Sequence, residues 1–392
     1  MNNIMQKGYL FICNYTKPTE TQYHSMDPIT IDTFGYAPVK AAESMGYNLY
    51  YSISRANAAQ IKCTNFDVTF YDANIFRSIL AIKDNWKAYK NLCAMLEMHP
   101  EIEVIHCNTP IGGVLGRICG HKYNKKVIYT AHGFHFFKGS PLINWFLFYP
   151  IERLLAHWTD ALITINDEDH QRAKGFRLHK KGKVFFIPGV GINLDKYGNE
   201  NSTRDEVRSE LRLKNDDVAV FSMGDLVVRK NYEPAIRAIG ESNNARLHLF
   251  ICGNGVDRER LEGITKELSL DNQVHFLGHR KDIIRLLTGA DVFLLSSKQE
   301  GLPRSLMEGM AMGLPCVVSN IRGNIDLIKD GEGGFLCESN TPKDYAEKLN
   351  MLAKSEELRL KMGAINKEEI KKYNIASICS KMLEIYKDVL RN

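Results

Sequence analysis

A rhythm of short β-branched and aromatic runs, separated by longer helix-forming stretches, constrains this chain more than any other feature. Tyr9-Leu-Phe-Ile-Cys13, Val104-Ile-His106, Val127-Ile-Tyr-Thr130, Ala161-Leu-Ile-Thr-Ile165 and Val184-Phe-Phe-Ile187 read as strands. Residues 85–98, 142–157 and 167–176 read as helices between them. A strand that reaches the next through a helix makes a crossover, so the strands run parallel. The runs lack strict polar–apolar alternation, which fits a sheet covered on both faces. The rhythm breaks at Pro188-Gly-Val-Gly-Ile-Asn193, where a Pro/Gly cluster leads into a charge-rich segment over 196–217. It restarts with Val218-Ala-Val-Phe-Ser222, Leu247-His-Leu-Phe-Ile-Cys252, Val274-His-Phe-Leu277, Val292-Phe-Leu-Leu295 and Cys316-Val-Val318. The expected fold class is therefore α/β, with domains over 1–190 and 191–374. After Phe335 the chain reads as helical over 344–354, 355–362 and 375–390, with apolar residues three and four apart. The last helix, within 375–392, is expected to pack back on the first domain, which can cover its apolar stripe.

A length of 392 residues suits two such domains, and 44% apolar with 25% charged residues suits folded cores. The net charge is only +5, and no clustered basic run is interleaved with aromatics, so no nucleic-acid partner is expected. The nine cysteines are scattered and never spaced as a CxxC pair, so neither a disulfide framework nor a zinc site is indicated. Buried thiols in a reducing compartment are expected. Residues 1–10 lack the apolar core of a secretory signal, and no apolar stretch reaches the roughly 18 residues of a membrane span. The expected location is cytoplasmic, with at most peripheral contact on the inner face of the plasma membrane.

The chemistry concentrates at strand ends. Ser297-Lys-Gln-Glu300-Gly301-Leu302-Pro-Arg-Ser-Leu-Met-Glu308 follows a strand, and a helix can begin near Pro303. Such a terminus offers backbone N–H groups to a phosphate, while Glu300 in the loop borders the same crevice and Glu308 follows about two turns inside the helix. A carboxylate accepts two hydrogen bonds from neighbouring sugar or ribose hydroxyls. Gly224-Asp-Leu-Val-Val-Arg229-Lys230 follows another strand and offers a glycine turn with two cations, the ingredients for holding a diphosphate. Phe250-Ile-Cys-Gly253-Asn-Gly255 and Val274-His-Phe-Leu-Gly278-His-Arg280 are strand-end loops of the same half. In the first half, Tyr129-Thr-Ala-His132-Gly-Phe-His135 and His106-Cys-Asn108-Thr-Pro110, with Gly112-Gly113 after it, occupy comparable positions.

These segments resemble the retaining glycosyltransferase family 4, through the Glu-x7-Glu motif at Glu300 and Glu308. The flanks Ala290-Asp-Val-Phe-Leu-Leu-Ser-Ser297 and Glu308-Gly-Met-Ala-Met-Gly-Leu-Pro-Cys-Val-Val318 match as well. The resemblance implies a GT-B fold, two facing Rossmann-like domains with a cleft between them. It implies transfer of a sugar from a nucleotide-diphosphate sugar, UDP by family frequency, with retention of configuration and no metal or other cofactor. Carried over, Lys230 and Arg229 with Gly224 would hold the diphosphate. Glu300 would orient the sugar beside Gly301 and Leu302, and Glu308 the ribose. Gly253, Gly255 and Arg280 would border the nucleotide, and His132 would act near the reacting sugar. Asn108 and His135 are acceptor-side candidates. The Gly-Phe-His-Phe-Phe-Lys-Gly segment is similar to bacterial exopolysaccharide and capsular transferases of the family, which implies a lipid-linked saccharide acceptor. One departure stands out: many members have Arg where this chain has Asp225.

Blander readings stand beside these. Glu300 and Glu308 taken alone read as solvated acids, and Gly253 and Gly255 as a tight turn. His132 and His135 could pair on a metal, but no third ligand is apparent, and the favoured reading of His135 is a packed or capping residue. Asp167-Glu-Asp169 spells a metal-binding Asp-x-Asp, yet acids at a helix start are expected for the dipole alone. Phe134, Phe136, Phe137, Trp145, Phe146, Phe148 and Tyr149, with Lys138 and Arg153, suit either a lipid interface or a core. A nucleotide-sugar 2-epimerase and a non-catalytic donor-binding subunit are the alternative functions.

Overall fold

The computed structural model describes residues 6–15, 17–76, 78, 80–108, 110–198 and 202–390. It divides into two compact units, Met1–Gly191 with Ile375–Asn392, and Ile192–Asn374. The first holds a seven-stranded sheet of β1 (Gly8–Ile12), β2 (Asn48–Ile53), β3 (Val68–Asp72), β4 (Ile102–Asn108), β5 (Lys126–Ala131), β6 (Ala161–Thr164) and β7 (Lys183–Phe186), in the order β3-β2-β1-β4-β5-β6-β7. The second holds six strands, β8 (Val218–Met223), β9 (Leu247–Cys252), β10 (Val274–Gly278), β11 (Val292–Leu295), β12 (Cys316–Ser319) and β13 (Gly334–Cys337), in the order β10-β9-β8-β11-β12-β13. All pairings are parallel. Each sheet is doubly wound, with strand order reversing between β1 and β4 and between β8 and β11. Ligands of such sheets bind beyond the strand ends at that reversal.

Successive strand residues feed opposite cores: Leu10 and Ile12 pack on one face of the first sheet, Tyr9 and Phe11 on the other. In the second sheet Val218 and Val220 are set against Ala219, Phe221 and Met223 in the same way. Burial of each large side chain contributes about 1.5–3 kcal/mol, which explains apolar runs without alternation. The C-terminal helix Ile375–Leu390 inserts Ile378, Met382, Ile385 and Tyr386 against the helix Thr33–Ser44 and the first sheet. Its Tyr386 hydroxyl lies 2.7 Å from the Tyr9 hydroxyl and 2.5 Å from His106 Nδ1. Three strands have no counterpart in the sequence reading: β2, β3 and β13. All nine cysteines are free thiols and seven are buried.

Candidate functional site

In the second unit, the loops leaving β8 and β11 meet at the strand-order reversal. Three hydrogen bonds stitch them, and a fourth ties the β11 loop to β12. Lys298 N donates to Arg229 O at 2.8 Å, and Asn231 Nδ2 donates to Ser296 O at 3.2 Å. Ser296 Oγ donates to Asn231 O at 2.8 Å, and Ser319 Oγ, from the end of β12, donates to Ser297 O at 2.6 Å. The frame brings together residues seventy positions apart: Glu300 Oε1 accepts from Lys230 Nζ at 2.7 Å and from Ser297 Oγ at 2.7 Å, with both charges buried. Arg229 Nη1 lies 4.0 Å from Glu300 Oε2 and is half exposed. Gly224, at φ 146°, lies against the Lys230 side chain; a Cβ there would stand 3.2 Å from Lys230 Cε, and the backbone conformation itself favours glycine.

The glycine pair after β9 serves backbone approach. A Cβ on Gly253 would fall 1.9 Å from Gly224 O, and one on Gly255 would fall 2.2 Å from Leu226 O. These residues therefore hold the Lys230 loop against its neighbour. Arg280 is clasped by Asp282, with Nε donating to Oδ1 at 2.8 Å and Nη2 to Oδ2 at 2.6 Å, and this holds the Asp282 carboxyl down at about 2. Pro303 sits at the N-cap, and the helix Arg304–Ala311 is short, so Glu308 is its fifth residue, nearer one turn inside than two. Burial raises the Glu308 carboxyl, opposed by Arg304 Nε at 3.2 Å and by a hydrogen bond with the Tyr197 phenol. The sequence reading missed Arg322, buried beyond β12, whose Nε donates to Glu300 O at 3.3 Å. Its signal was a cation in a Gly/Asn turn, Asn320-Ile-Arg322-Gly-Asn324, after a strand of the same sheet.

In the first unit, His132 follows β5 directly. Both ring nitrogens are buried and make no hydrogen bond within the described residues, and burial lowers the imidazole to about 4. The Phe34 ring meets it edge-on at 4.7 Å between centroids. A chamber of about 20 Å³ lies beside it, lined also by Asn108 and Thr130, with room for about one water. Asn108 is buried at the end of β4 and donates Nδ2 to Phe34 O at 3.5 Å. His106 lies inside β4 rather than in a loop, 2.8 Å from Thr130 Oγ1, and burial lowers it to about 3. Gly112 and Gly113 belong to the helix Pro110–Lys122, and Gly113 packs on the Tyr129 ring.

His135 stacks on Phe148 at 4.6 Å, the packed alternative. Among the described residues no group of three His, Cys, Asp or Glu is placed to hold a metal ion. The acids at 167–169 open the helix Asp167–Ala173, capped by Asn166. They also hold the loop after His132: Asp169 accepts from Phe134 N at 2.9 Å and Glu168 from Lys138 N at 2.7 Å. The aromatic stretch splits. Phe134 and Phe136 are core, and Trp145, Phe148 and Tyr149 pack against it. The exposed face of the helix Leu142–Ala156 is instead mostly aliphatic, with Leu142, Ile143, Leu147, Ile151 and Leu154 beside Phe146, which is 77% exposed. No helix among the described residues is long and apolar enough to cross a membrane.

Residues 203–369 match the family described as glycosyl transferases group 1. EpsD of Bacillus subtilis (strain 168), a glycosyltransferase by name, is 33% identical over 308 residues, 77% of this chain and 80% of its own. The Escherichia coli UDP-Gal:alpha-D-GlcNAc-diphosphoundecaprenol alpha-1,3-galactosyltransferase is 28% identical over 329 residues, 82% of this chain and 84% of its own. Among solved structures, Anabaena HepE in complex with UDP and glucose is similar at a TM-score of 0.76 and 17% identity, covering 98% of this chain and 100% of that one.

Proposed function

The chain belongs to the group 1 glycosyltransferases, and from that premise we propose that it transfers a sugar from a UDP-sugar to a hydroxyl of a lipid-linked saccharide in surface-polysaccharide assembly, with retention of configuration. The observation that carries the reading is the buried Lys230–Glu300 pair at the β8/β11 reversal, where a doubly wound sheet takes its nucleotide. Lys230 keeps two further N–H donors for a diphosphate, and Arg229 adds a second cation. In the step proposed, the acceptor oxygen bonds to the anomeric carbon while the bond to the diphosphate breaks and UDP departs with the electron pair. The acceptor proton passes to a donor phosphate oxygen. Lys230 and Arg229 stabilise the leaving charge without a metal, Glu300 orients the sugar, Glu308 the ribose, and neutral His132 contacts the sugar. The E. coli relative's named donor and acceptor, and the UDP in HepE, support the choice of substrates.

Membrane contact belongs to the same reading, through the exposed apolar face of the helix Leu142–Ala156, which has Arg153 at its last turn. The test is calorimetric titration of UDP and GDP into wild type and Lys230→Ala, followed by donor hydrolysis with several UDP-sugars. Tight UDP binding lost in the variant, with hydrolysis of one sugar, is expected. Absence of nucleotide binding by wild type would overturn the reading, and conversion of donor to an epimer without acceptor would replace it.

A further inference from the structure

Two of the nine thiols, far apart in the chain, are brought together by the fold of the first unit. Cys93 lies on the helix Ile82–Met98 and Cys119 on the helix Pro110–Lys122, and both belong to the same core cluster. Their Sγ atoms stand 3.9 Å apart. A disulfide bond of about 2.05 Å is then within reach of side-chain rotation and a slight approach of the helices. Three features set this pair apart from sulfur used as core filling. Other buried thiols, such as Cys107 and Cys316, donate to backbone carbonyls, Ile128 O at 3.5 Å and Leu314 O at 3.3 Å. Cys93 instead meets a second sulfur and the Lys122 ammonium, whose Nζ lies 3.6 Å from its Sγ. An ammonium beside a sulfur favours the thiolate, the form that attacks a peroxide. Lys122 Nζ also sits over the Tyr89 and Tyr123 rings, 5.6 and 4.9 Å from their centroids, which holds the charge at the sulfur. Finally, the two thiols differ in access: Cys93 is 8% exposed and Cys119 0%, and burial pushes the Cys119 thiol up. An attacking sulfur near the surface, with a second one behind it, is the arrangement in which the second resolves what the first becomes.

We propose that Cys93 and Cys119 form an oxidisable dithiol, a modification site for peroxides that closes to a reversible disulfide between the two helices. The Cys93 sulfur takes one oxygen from the peroxide and becomes a sulfenic acid. The O–O bond breaks, and the departing oxygen takes the thiol proton and leaves as water or an alcohol. The Cys119 sulfur then bonds to the Cys93 sulfur, the S–O bond breaks, and the oxygen leaves as water with the Cys119 proton. The two thiols give up two electrons in all, and the peroxide takes them. A small dithiol reverses the bond by exchange. The link ties the helix that starts beyond β4 to its neighbour, and none of this chemistry involves the donor loops of the second unit.

Reduced full-length protein is treated with hydrogen peroxide under native conditions, alkylated in denaturant and mapped by peptide mass spectrometry. Wild type is expected to lose two of its nine alkylatable thiols, to gain a peptide linked through Cys93 and Cys119, and to recover all nine after dithiothreitol. Cys119→Ser is expected to stop at a Cys93 sulfenic acid that dimedone traps, and Cys93→Ser to keep Cys119 reduced. Lys122→Met is expected to slow the loss of thiols about 3-fold or more. Oxidised wild type is expected to unfold several degrees above the reduced form, a shift absent from both serine variants. Oxidation confined to the half-buried Cys63 and Cys379, or a Cys93–Cys119 link that forms in wild type only after unfolding, overturns the proposal.

Discussion

Glu300→Gln separates two jobs that the Lys230–Glu300 pair performs. Glu300 takes one of the three Lys230 N–H donors at 2.7 Å and offsets its charge, and it takes the Ser297 hydroxyl as well. An incoming diphosphate must compete with that carboxylate. A glutamine keeps the shape and one acceptor oxygen but removes the charge, so more of the Lys230 charge is returned to the ligand. A hydrogen bond to a charged group contributes about 1.5–3 kcal/mol, and part of it survives in the amide. UDP should therefore bind Glu300→Gln more tightly by roughly 1–2 kcal/mol, about 5- to 30-fold. Sugar transfer should fall by about 100-fold or more, because the amide holds the sugar less firmly where charge develops. Calorimetry with UDP and single-turnover assays on the same preparations give the two numbers. Weaker UDP binding by Glu300→Gln, with transfer intact, would refute the reasoning.

Removing the cation instead, as Lys230→Ala, should weaken UDP about 10- to 100-fold and lower the unfolding midpoint, because Glu300 stays buried without its main partner; calorimetry and thermal melts check both. Gly253→Ala should lose UDP binding and destabilise the second unit by about 3 kcal/mol or more, since its Cβ would fall on Gly224 O at φ 152°; a melt with and without UDP reads this. Burial lowers His106 to about 3 and His132 to about 4, so the unfolded chain binds more protons than the folded one from there up to about 6.5. Stability should consequently fall as pH drops through that window, by on the order of 4 kcal/mol for His106 alone, and chemical denaturation of His106→Gln at pH 4.5 and 7 should show a smaller difference than wild type. Ile143→Asp with Phe146→Asp should cut co-sedimentation with anionic vesicles about 10-fold or more, as two exposed apolar contacts of about 1.5–3 kcal/mol each are lost.

Strands such as Leu247–Cys252 and the helix Ile375–Leu390 could be bounded from the sequence because their apolar periods are strong and uninterrupted. β2 and β13 escaped notice for opposite reasons. Asn48-Leu-Tyr-Tyr-Ser-Ile53 mixes polar and aromatic residues, while Gly334-Phe-Leu-Cys337 is short and glycine-led, its approach to Cys316 O visible only once the sheet is assembled. At the site, Lys230 and Glu300 were legible as strand-end residues, but their pairing was not, because it depends on which strands are neighbours. Arg280, read as a cation in a strand-end loop, is clasped by Asp282 two residues on, a pair that local sequence already offers. The aromatic stretch shows another. Its rings point inward except that of Phe146, and the aliphatic residues between them face solvent, an orientation set by helix phase.

The two sheets use the same device, a reversal of strand order, and furnish it with different electrostatics. In the second unit the reversal brings Lys230 and Arg229 to the Glu300 carboxylate, with buried Arg322 donating to the Glu300 backbone carbonyl, a setting suited to a diphosphate. In the first unit the β1/β4 reversal holds neutral groups: Asn14, whose Oδ1 accepts from Gly112 N at 2.7 Å, Asn108, and beyond it His132 kept uncharged by burial. A neutral imidazole can accept a hydrogen bond from a sugar hydroxyl. Burial also lowers its basicity, which weakens it as a general base near neutral pH. In the transfer proposed above, the donor's own phosphate oxygen takes the acceptor proton, so seating of the diphosphate on Lys230 would serve deprotonation as well as departure. His132→Asn, which keeps a neutral polar group, should accordingly retain far more transfer activity than Lys230→Ala. Equal losses in the two variants, with UDP affinity lowered only in the second, would instead make His132 the proton acceptor.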